Sequence, residues 1–328
     1  ASARCRAPWL TNRRSRRWID AVRARPLTAE IAYSSTMAPY IARSRGARAR
    51  LVDFVDADSE KFAAYAARSR DPLARLYKRE ARLLGQAETE IANWADSAFA
   101  ITDAEAALFN ARAEICRPVR VWENGVDAAH FDPAAPFAAI RDPADIVFTG
   151  VMDYRPNVDA VLFFLDEVWP RVRKAAPDAN FAVVGARPSS AIRKRDGIDG
   201  VRVTGRVACV RPWLKQAKLA VAPLRIARGL QNKVLEAMAM ATPVVATPAA
   251  AAGLRLGADD ILVREDPASM ADAVAALLHD GHRRAALGAA ARLRVLNDYG
   301  WADQLARFDA ALDDALASSA SSARASAA

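Results

Sequence analysis

The stretch "KLAVAPLRIARGLQNKVLEAMAMATPVVAT", residues 218–247, contains one unit of strand, helix and strand. Its outer runs "KLAVAPL" and "PVVAT" are short, apolar and bounded by turn residues, which is typical of buried strands. The run between them, "LQNKVLEAMAMA", has the composition and length of a helix. Two strands that are joined by a helical crossover pair in parallel, so this stretch predicts a parallel sheet that is covered by helices.

The same alternation of strand and helix begins at about residue 142. Further predicted strands are "DIVFTG" (145–150), "NFAVVG" (180–185), "VRVTG" (201–205) and a weaker "ILVRED" (261–266). Several of these runs are continuously apolar, which is expected where both faces of a sheet are buried. We therefore predict one doubly wound α/β domain over residues 141–300.

Residues 1–140 predict a second α/β domain. Strands are expected in "AEIAYSS", "ARLVDFVDA", "SAFAIT" and "PVRVWENGVD", with a long helix over 71–96. Few strands precede that helix and no glycine-rich turn opens the chain, so we interpret this domain as incomplete at its front. A C-terminal helix is predicted over 301–315, and the Ala/Ser-rich residues 316–328 are predicted to be disordered.

Composition restricts the class of protein. The chain has 328 residues, 52% of them apolar, which is enough for two hydrophobic cores. Three scattered cysteines predict neither a disulfide framework nor a zinc site and favour a reducing, cytoplasmic location. No signal peptide or membrane span is predicted, and no motif requires a cofactor or a metal.

The positive charge is local. Residues 1–50 contain twelve arginines against Asp20 and Glu30, a charge of +10, while the whole chain carries +9. Because the rest of the chain is near neutral, we do not expect nucleic acid as a partner. Two interpretations remain: a solvated arginine-rich face, or a basic stretch that also carries Trp9, Leu10, Trp18 and Ile19 and lies on an anionic membrane surface.

The helix after Gly229 carries the main candidate site. The N–H groups of Leu230, Gln231 and Asn232 at its start suit a phosphate. Glu236 lies roughly 10 Å further along, about the distance from the phosphates of a nucleotide to its ribose, and a carboxylate can accept both ribose hydroxyls. The alternative is an idle surface pair of Lys233 and Glu236, which the apolar neighbours of Glu236 disfavour.

These motifs resemble a known family. "NKVLEAMAMATPVVAT", with the preceding "VTGRVACVRPWLKQAKLAVAPLR", is similar to the nucleotide-binding half of family 4 retaining glycosyltransferases of GT-B fold, and "VWENGVDAAHFDP" resembles their hinge segment. "DFVDADSEKF" and "FTGVMDYRPNVDAVLFF" most resemble the sugar transferases of PEP-CTERM/exosortase exopolysaccharide clusters. The resemblance covers about residues 30–310. It implies two Rossmann-like domains, a nucleotide-diphosphate sugar as donor, and a saccharide or lipid-linked acceptor in exopolysaccharide or cell-envelope glycan synthesis.

The resemblance also assigns residues, with departures on the phosphate side. The wider family has a glutamate eight positions before its ribose glutamate, and here that position is Arg228, which we expect to join Arg225 and Lys233 around the diphosphate. The family also has an Arg and a Lys after the first strand glycine of this domain. After Gly150 those positions are Val151 and Pro156, so Arg155 is the candidate substitute.

Two further assignments remain, one from the resemblance and one from the end of a predicted strand. Arg206 and Val207 stand where the family holds the base, although a Gly-Arg after a strand is also ordinary turn chemistry. In the N-terminal domain, Asp56 is the candidate contact to the acceptor, whereas Asp56-Ala-Asp58 is a weak metal motif and Asp58 has an alternative role as a helix cap.

Other functions remain open. In a retaining front-face transfer the leaving phosphate takes the acceptor proton, so the lack of histidine in the first 129 residues does not exclude transfer. An inactive or truncated protein that binds a nucleotide sugar is the main alternative. A sugar-nucleotide epimerase of the same fold is disfavoured, because it needs acidic and histidine groups that the N-terminal part does not supply.

Overall fold

The computed structural model describes residues 13–42, 47–68, 72–227 and 229–327. The chain forms two compact units. Unit 1 contains the residues up to Glu123 together with those from Ala302 onward, and unit 2 contains Asn124–Trp301. None of the helices in the described ranges is long and apolar enough to cross a membrane.

Unit 1 is built on a four-stranded parallel sheet in the order β1-β2-β3-β4. Its strands are β1 (Leu27–Tyr33), β2 (Ala47–Asp53), β3 (Ser97–Ala100) and β4 (Arg120–Val121). Its helices up to this point are α1 (Arg13–Val22), α2 (Ala38–Ile41), α3 (Asp58–Arg68), α4 (Leu73–Trp94) and α5 (Asp103–Asn110). The stacked rings of Phe54 and Phe109, with centroids 4.6 Å apart, lie in the core of this unit.

Unit 2 is built on a six-stranded parallel sheet in the order β10-β9-β8-β5-β6-β7. Its strands are β5 (Ile146–Thr149), β6 (Phe181–Val184), β7 (Val201–Gly205), β8 (Leu219–Ala222), β9 (Val244–Ala246) and β10 (Leu262–Val263). Its helices are α6 (Arg155–Phe163), α7 (Trp169–Ala175), α8 (Ser190–Arg193), α9 (Arg211–Gln216), α10 (Asn232–Ala239), α11 (Pro248–Ala251), α12 (Pro267–His279) and α13 (Gly281–Asp298). Strands β5, β6 and β8 are buried at every residue, as their continuous apolar runs predict.

The helical stretch that follows β5 is divided into three segments. A π-helical turn, Phe164–Val168, separates α6 from α7. Pro170 lies at the start of α7 and has no N–H to donate to Asp166, so the regular i to i−4 ladder is interrupted at this point.

The helix α14 (Trp301–Ala327) completes unit 1 and shifts the predicted boundaries. Phe308, Ala311 and Ala315 of α14 pack with Leu51 and Phe99 of the unit 1 sheet, so the C-terminal helix belongs with the N-terminal part of the chain.

The boundary between the units follows Glu123 rather than residue 140. The segment after Glu123 forms hydrogen bonds with other residues of unit 2. For example, the N–H of Ile140 donates to the side chain of Gln216 at 3.1 Å. The helix also continues to Ala327, where composition had predicted disorder from residue 316, because alanine has the highest intrinsic helix propensity.

Both units are α/β with parallel sheets, which confirms the predicted class.

Candidate functional site

A cavity of about 880 Å³ opens in unit 2 at the carboxyl ends of its central strands. Strands β5 and β8 are neighbours, and the chain leaves β5 toward β6 and β7 but leaves β8 toward β9 and β10. Such a reversal of strand order creates a crevice in which α/β proteins bind ligands. The residues lining the cavity are Thr149, Gly150, Val151, Asp153, Tyr154, Asn157, Val184, Gly185, Ala186, Arg187, Arg206, Val207, Val210, Gln231, Lys233 and Glu236.

Gly150 lies at the end of β5 in a backbone conformation that suits glycine, with φ of +157°. A Cβ at this position would stand 2.8 Å from Nδ2 of Asn157 and 3.2 Å from Nζ of Lys233. The absence of a side chain therefore leaves the two polar groups together beside the strand end and allows close approach of a ligand to the backbone.

Lys233 provides the cation at this strand end. Its Nζ donates a hydrogen bond to Oδ1 of Asn157 and lies 4.4 Å from the ring centroid of Phe148 on β5. Burial lowers the pKa of Lys233 to about 7, and the charge of Glu236 opposes that shift. An anionic ligand at this point would favour the charged ammonium.

Glu236 lies one turn further along α10 and also lines the cavity. Its side chain is half-buried, and burial raises its pKa, while the ammonium of Lys233 acts in the opposite direction. Lys233 and Glu236, the phosphate-side and ribose-side candidates on this helix, therefore line one cavity in the expected order.

The start of that helix differs from the expectation. Helix α10 begins at Asn232 with Gln231 as its N-cap residue, and Leu230 is buried with 7% exposure. Gln231 lines the cavity, whereas Leu230 and Gly229 do not. Gly229 has φ of +62°, which accounts for a glycine in the turn before the helix.

Arg206 and Val207 line the cavity on the β7 side, where the sequence analysis placed the base. An ion pair missed by that analysis joins two further lining residues. Nε of Arg187 donates to Asp153 at 2.5 Å, and its second nitrogen donates to the same carboxylate at 3.3 Å. This pair lowers the pKa of the Asp153 carboxyl.

Of the three arginines expected around the diphosphate, Arg155 and Arg225 do not line the cavity. Arg225 donates two hydrogen bonds to Asp159, at 2.6 and 3.0 Å, and its guanidinium lies 4.8 Å from the ring centroid of Phe163. Arg155 is the exposed first residue of α6 and is not part of the cavity lining. Arg228 lies outside the described residues.

Among the described residues, the cations that line the cavity are Lys233, Arg187 and Arg206. Sequence reasoning also missed Gly185 and Asn157. The available signal was the second apolar run that ends in glycine, "NFAVVG", which repeats the pattern of "DIVFTG".

Asp56 lies in unit 1, directly after β2. Its side chain is half-buried, and burial raises its pKa. Burial also raises the pKa of the neighbouring Asp53 to about 6. Val55 between them has φ of +67°, an uncommon conformation for a β-branched residue. In the described part of the chain, no group of three or more His, Cys, Asp or Glu residues is arranged to hold a metal ion.

A family described as "Glycosyl transferases group 1" matches residues 143–280. No curated protein matches the chain. Among solved structures, the chain is similar to TarM of S. aureus, with a TM-score of 0.69 and 16% identity over 90% of this chain and 57% of TarM. It is also similar to sucrose-phosphate synthase from Thermosynechococcus elongatus, with a TM-score of 0.73 and 17% identity over 93% of this chain and 78% of the synthase.

A third similar structure is Anabaena HepE in complex with UDP, with a TM-score of 0.66 and 12% identity over 90% of this chain and 81% of HepE. The chain spans little more than half the length of TarM. These likenesses show the fold, and the predicted GT-B type with two α/β units is confirmed. The family match lies within unit 2, which contains the cavity.

Proposed function

We propose that this protein transfers a sugar from a nucleotide-diphosphate sugar to a saccharide or lipid-linked acceptor, because the glycosyl transferases group 1 family matches residues 143–280 of unit 2. The observation that carries the proposal is the placement of Gly150, Lys233 and Glu236 on one cavity at the switch point of a parallel sheet. A volume of about 880 Å³ is within the range of small-molecule sites.

In this proposal the diphosphate lies against Gly150 and Lys233, the ribose hydroxyls bind Glu236, and the base lies beside Arg206 and Val207. Two structural neighbours support a nucleotide donor, since TarM and HepE were each solved with UDP. We include retention of configuration and a role in exopolysaccharide synthesis on the strength of the sequence resemblance.

In the transfer that we propose, catalysis comes from electrostatic stabilisation of the departing diphosphate. The bond from the anomeric carbon to the diphosphate oxygen breaks as the acceptor oxygen bonds to that carbon, and the acceptor proton passes to the departing phosphate. The ammonium of Lys233 and the start of α10 offset the charge that develops on the diphosphate. The acceptor would contact Asp56 of unit 1.

The anionic membrane surface also belongs to this proposal. In α1, Trp18 and Val22 lie four residues apart on one helix face, with 69% and 42% of their surfaces exposed. Six arginines and one aspartate lie between residues 13 and 25, so this segment suits anionic lipid. Trp18→Ala should weaken sedimentation with phosphatidylglycerol vesicles while leaving neutral vesicles unbound. Equal sedimentation of the wild type and Trp18→Ala with phosphatidylglycerol vesicles would exclude α1 as the contact.

The first test is thermal stabilisation of the full chain by UDP, GDP, ADP and TDP. A nucleotide at about 100 times its Kd adds roughly 2.7 kcal/mol of stability, which is readily measured. We expect one nucleotide to stabilise the wild type, Glu236→Gln to lose most of that effect, and the exposed-residue control Glu265→Gln to keep it. If no nucleotide stabilises the wild type, the donor site is wrong.

Transfer is then separated from binding. With the sugar nucleotide of the identified base, an active enzyme releases the nucleoside diphosphate when acceptor is added, and NMR of the product reports the anomeric configuration. Binding without transfer or hydrolysis would support the alternative of a nucleotide-sugar-binding protein.

A further inference from the structure

Asn157 is a buried residue of α6 that lines the cavity, with 6% of its surface exposed. Its amide is engaged at both ends. Nδ2 donates to the carbonyl oxygen of Val151 at 2.9 Å, and Oδ1 accepts the hydrogen bond from the ammonium of Lys233. Because an amide has one donor end and one acceptor end, the bond to Val151 directs the acceptor end toward Lys233.

Lys233 reaches this point from a different element. It lies 76 residues along the chain from Asn157, on α10, and its flexible side chain ends over the ring of Phe148. An ammonium on a long side chain loses conformational freedom when it is held in one place, and burying it costs free energy unless polar partners compensate. The amide oxygen of Asn157 and the π face of Phe148 contact the ammonium and compensate in part, and the charge of Glu236 acts in the same direction.

We infer that Asn157 is a positioning residue that holds the Lys233 ammonium, in its charged form, beside Gly150 at the end of β5. The inference rests on the proposed function only for the ligand, since it places Lys233 where the diphosphate would bind. A carbonyl oxygen stabilises an ammonium more than a neutral amine, so the contact favours the protonated form.

Other charged groups face the same space. Glu236 lies on the same helix as Lys233, Asp153 and Arg187 line the cavity from the loops after β5 and β6, and Arg206 lines it from the loop after β7. Of these, Glu236 is the one whose charge raises the pKa of Lys233. A variant at residue 157 leaves all four of these side chains in the chain. A shift in the titration of Lys233 therefore reports on residue 157.

The test begins with the titration of Lys233 in the full chain, by NMR of ¹³C-labelled lysine. The chain has seven lysines, and the Lys233→Arg variant assigns the signal. Asn157→Asp keeps the size of the side chain and puts a carboxylate against the ammonium. We expect it to raise the midpoint of Lys233 by about one pH unit or more.

The matched control is Asn232→Asp. Asn232 is exposed, precedes Lys233 directly and does not line the cavity, so the same new charge should be screened by solvent. Equal midpoints in the two Asn→Asp variants would overturn the inference, whether or not any nucleotide binds.

UDP affinity supplies the second readout, by calorimetry between pH 6 and 9. In the wild type the affinity should fall as Lys233 loses its proton, and in Asn157→Asp the fall should begin about one pH unit higher. Asn157→Leu should weaken UDP about tenfold at neutral pH, since a hydrogen bond to a charged group is lost.

A double-mutant cycle separates positioning from general structure. If Asn157 acts through Lys233, Asn157→Leu should cost nothing further in a Lys233→Met background. An equal additional loss there would show that Asn157 serves the fold and not Lys233. If wild-type protein binds no nucleotide while the NMR midpoint shifts as expected, the donor site is wrong and the positioning role stands.

Discussion

A Cβ on Gly185 would lie 1.6 Å from the carbonyl oxygen of Gly150. The two glycines end neighbouring strands, β5 and β6, and the N–H of Gly150 donates to the carbonyl of Val184 at 3.1 Å. Both glycines line the cavity, and Gly150 lies beside Lys233. A side chain at residue 185 cannot be accommodated unless the two strand ends separate.

Gly185→Ala should therefore destabilise unit 2 and abolish nucleotide stabilisation. We expect a loss of about 3 kcal/mol or more, since backbone collision is one of the mechanisms behind large effects. Calorimetry of the thermal transition measures the loss. Gly197→Ala is the control, because Gly197 has φ of +76° but no atom within 4 Å of a new Cβ, so only the backbone strain of about 1–2 kcal/mol applies. Equal losses in the two variants would contradict the role of the Gly150 contact.

Lys233 should make the stability of the protein depend on pH. Burial lowers the pKa of Lys233 to about 7 from 10.5, so between these values the unfolded chain holds a proton that the folded chain lacks. Stability from this group therefore rises as pH increases through that window. Lys233→Met should remove a rise of about 4 kcal/mol, measured as urea midpoints at pH 6, 8 and 10. A variant with the same slope as the wild type would show that Lys233 is solvated.

Asp153 should compete with an anionic ligand for Arg187. The two side chains are paired and both line the cavity. Asp153→Asn removes the competing carboxylate and makes the net charge of the site more positive by one unit. We expect UDP to bind about threefold to tenfold more tightly in this variant, measured by calorimetry at low salt. Asp166→Asn is the matched control, because Asp166 forms the same kind of pair with Arg195 away from this cavity. A comparable gain in the control would assign the effect to net charge alone.

Asp53 should make the stability of unit 1 depend on pH in the acid range. Burial raises the pKa of Asp53 to about 6 from 3.8, so between these values the folded protein holds a proton that the unfolded chain has lost. Stability from this group falls as pH increases through that window. Asp53→Asn keeps the Oδ1 acceptor for the N–H of Val55 and should remove a fall of about 2 kcal/mol between pH 4 and 6. The exposed Asp309→Asn should leave the fall in place.

The attachment of α14 to unit 1 can be measured directly. The ring of Phe308 lies 4.6 Å from that of Trp122 and 5.6 Å from that of Phe99, so Phe308→Ala should cost unit 1 about 3 kcal/mol. Leu305 on the same helix is 49% exposed, and Leu305→Ala should stay within about 0.5 kcal/mol of the wild type. Scanning calorimetry that showed equal shifts would place α14 elsewhere.

The strand and helix pattern of unit 2 was predictable because it depends on local periodicity. The runs around residues 146–149, 181–184 and 219–222 are apolar at every position except Thr149, as expected for strands that are buried on both faces. The placement of Gly150, Lys233 and Glu236 on one cavity was also predictable, since a glycine at a strand end and spaced charges on one helix are visible in the chain. The domain boundary was not, because α14 packs on strands more than 200 residues away.

Sequence by itself determined the two parallel α/β sheets and the helix that carries Lys233 and Glu236, since both follow from the order of apolar runs. Only the tertiary structure decided which cations face the cavity. Arginine carries the same charge at positions 155, 187 and 225, yet Arg187 lines the cavity and Arg225 is paired with Asp159. Which arginine faces the cavity depends on partners that are distant in the chain. The contact of Asn157 with Lys233 also joins distant residues, and no local sequence pattern encodes such a contact.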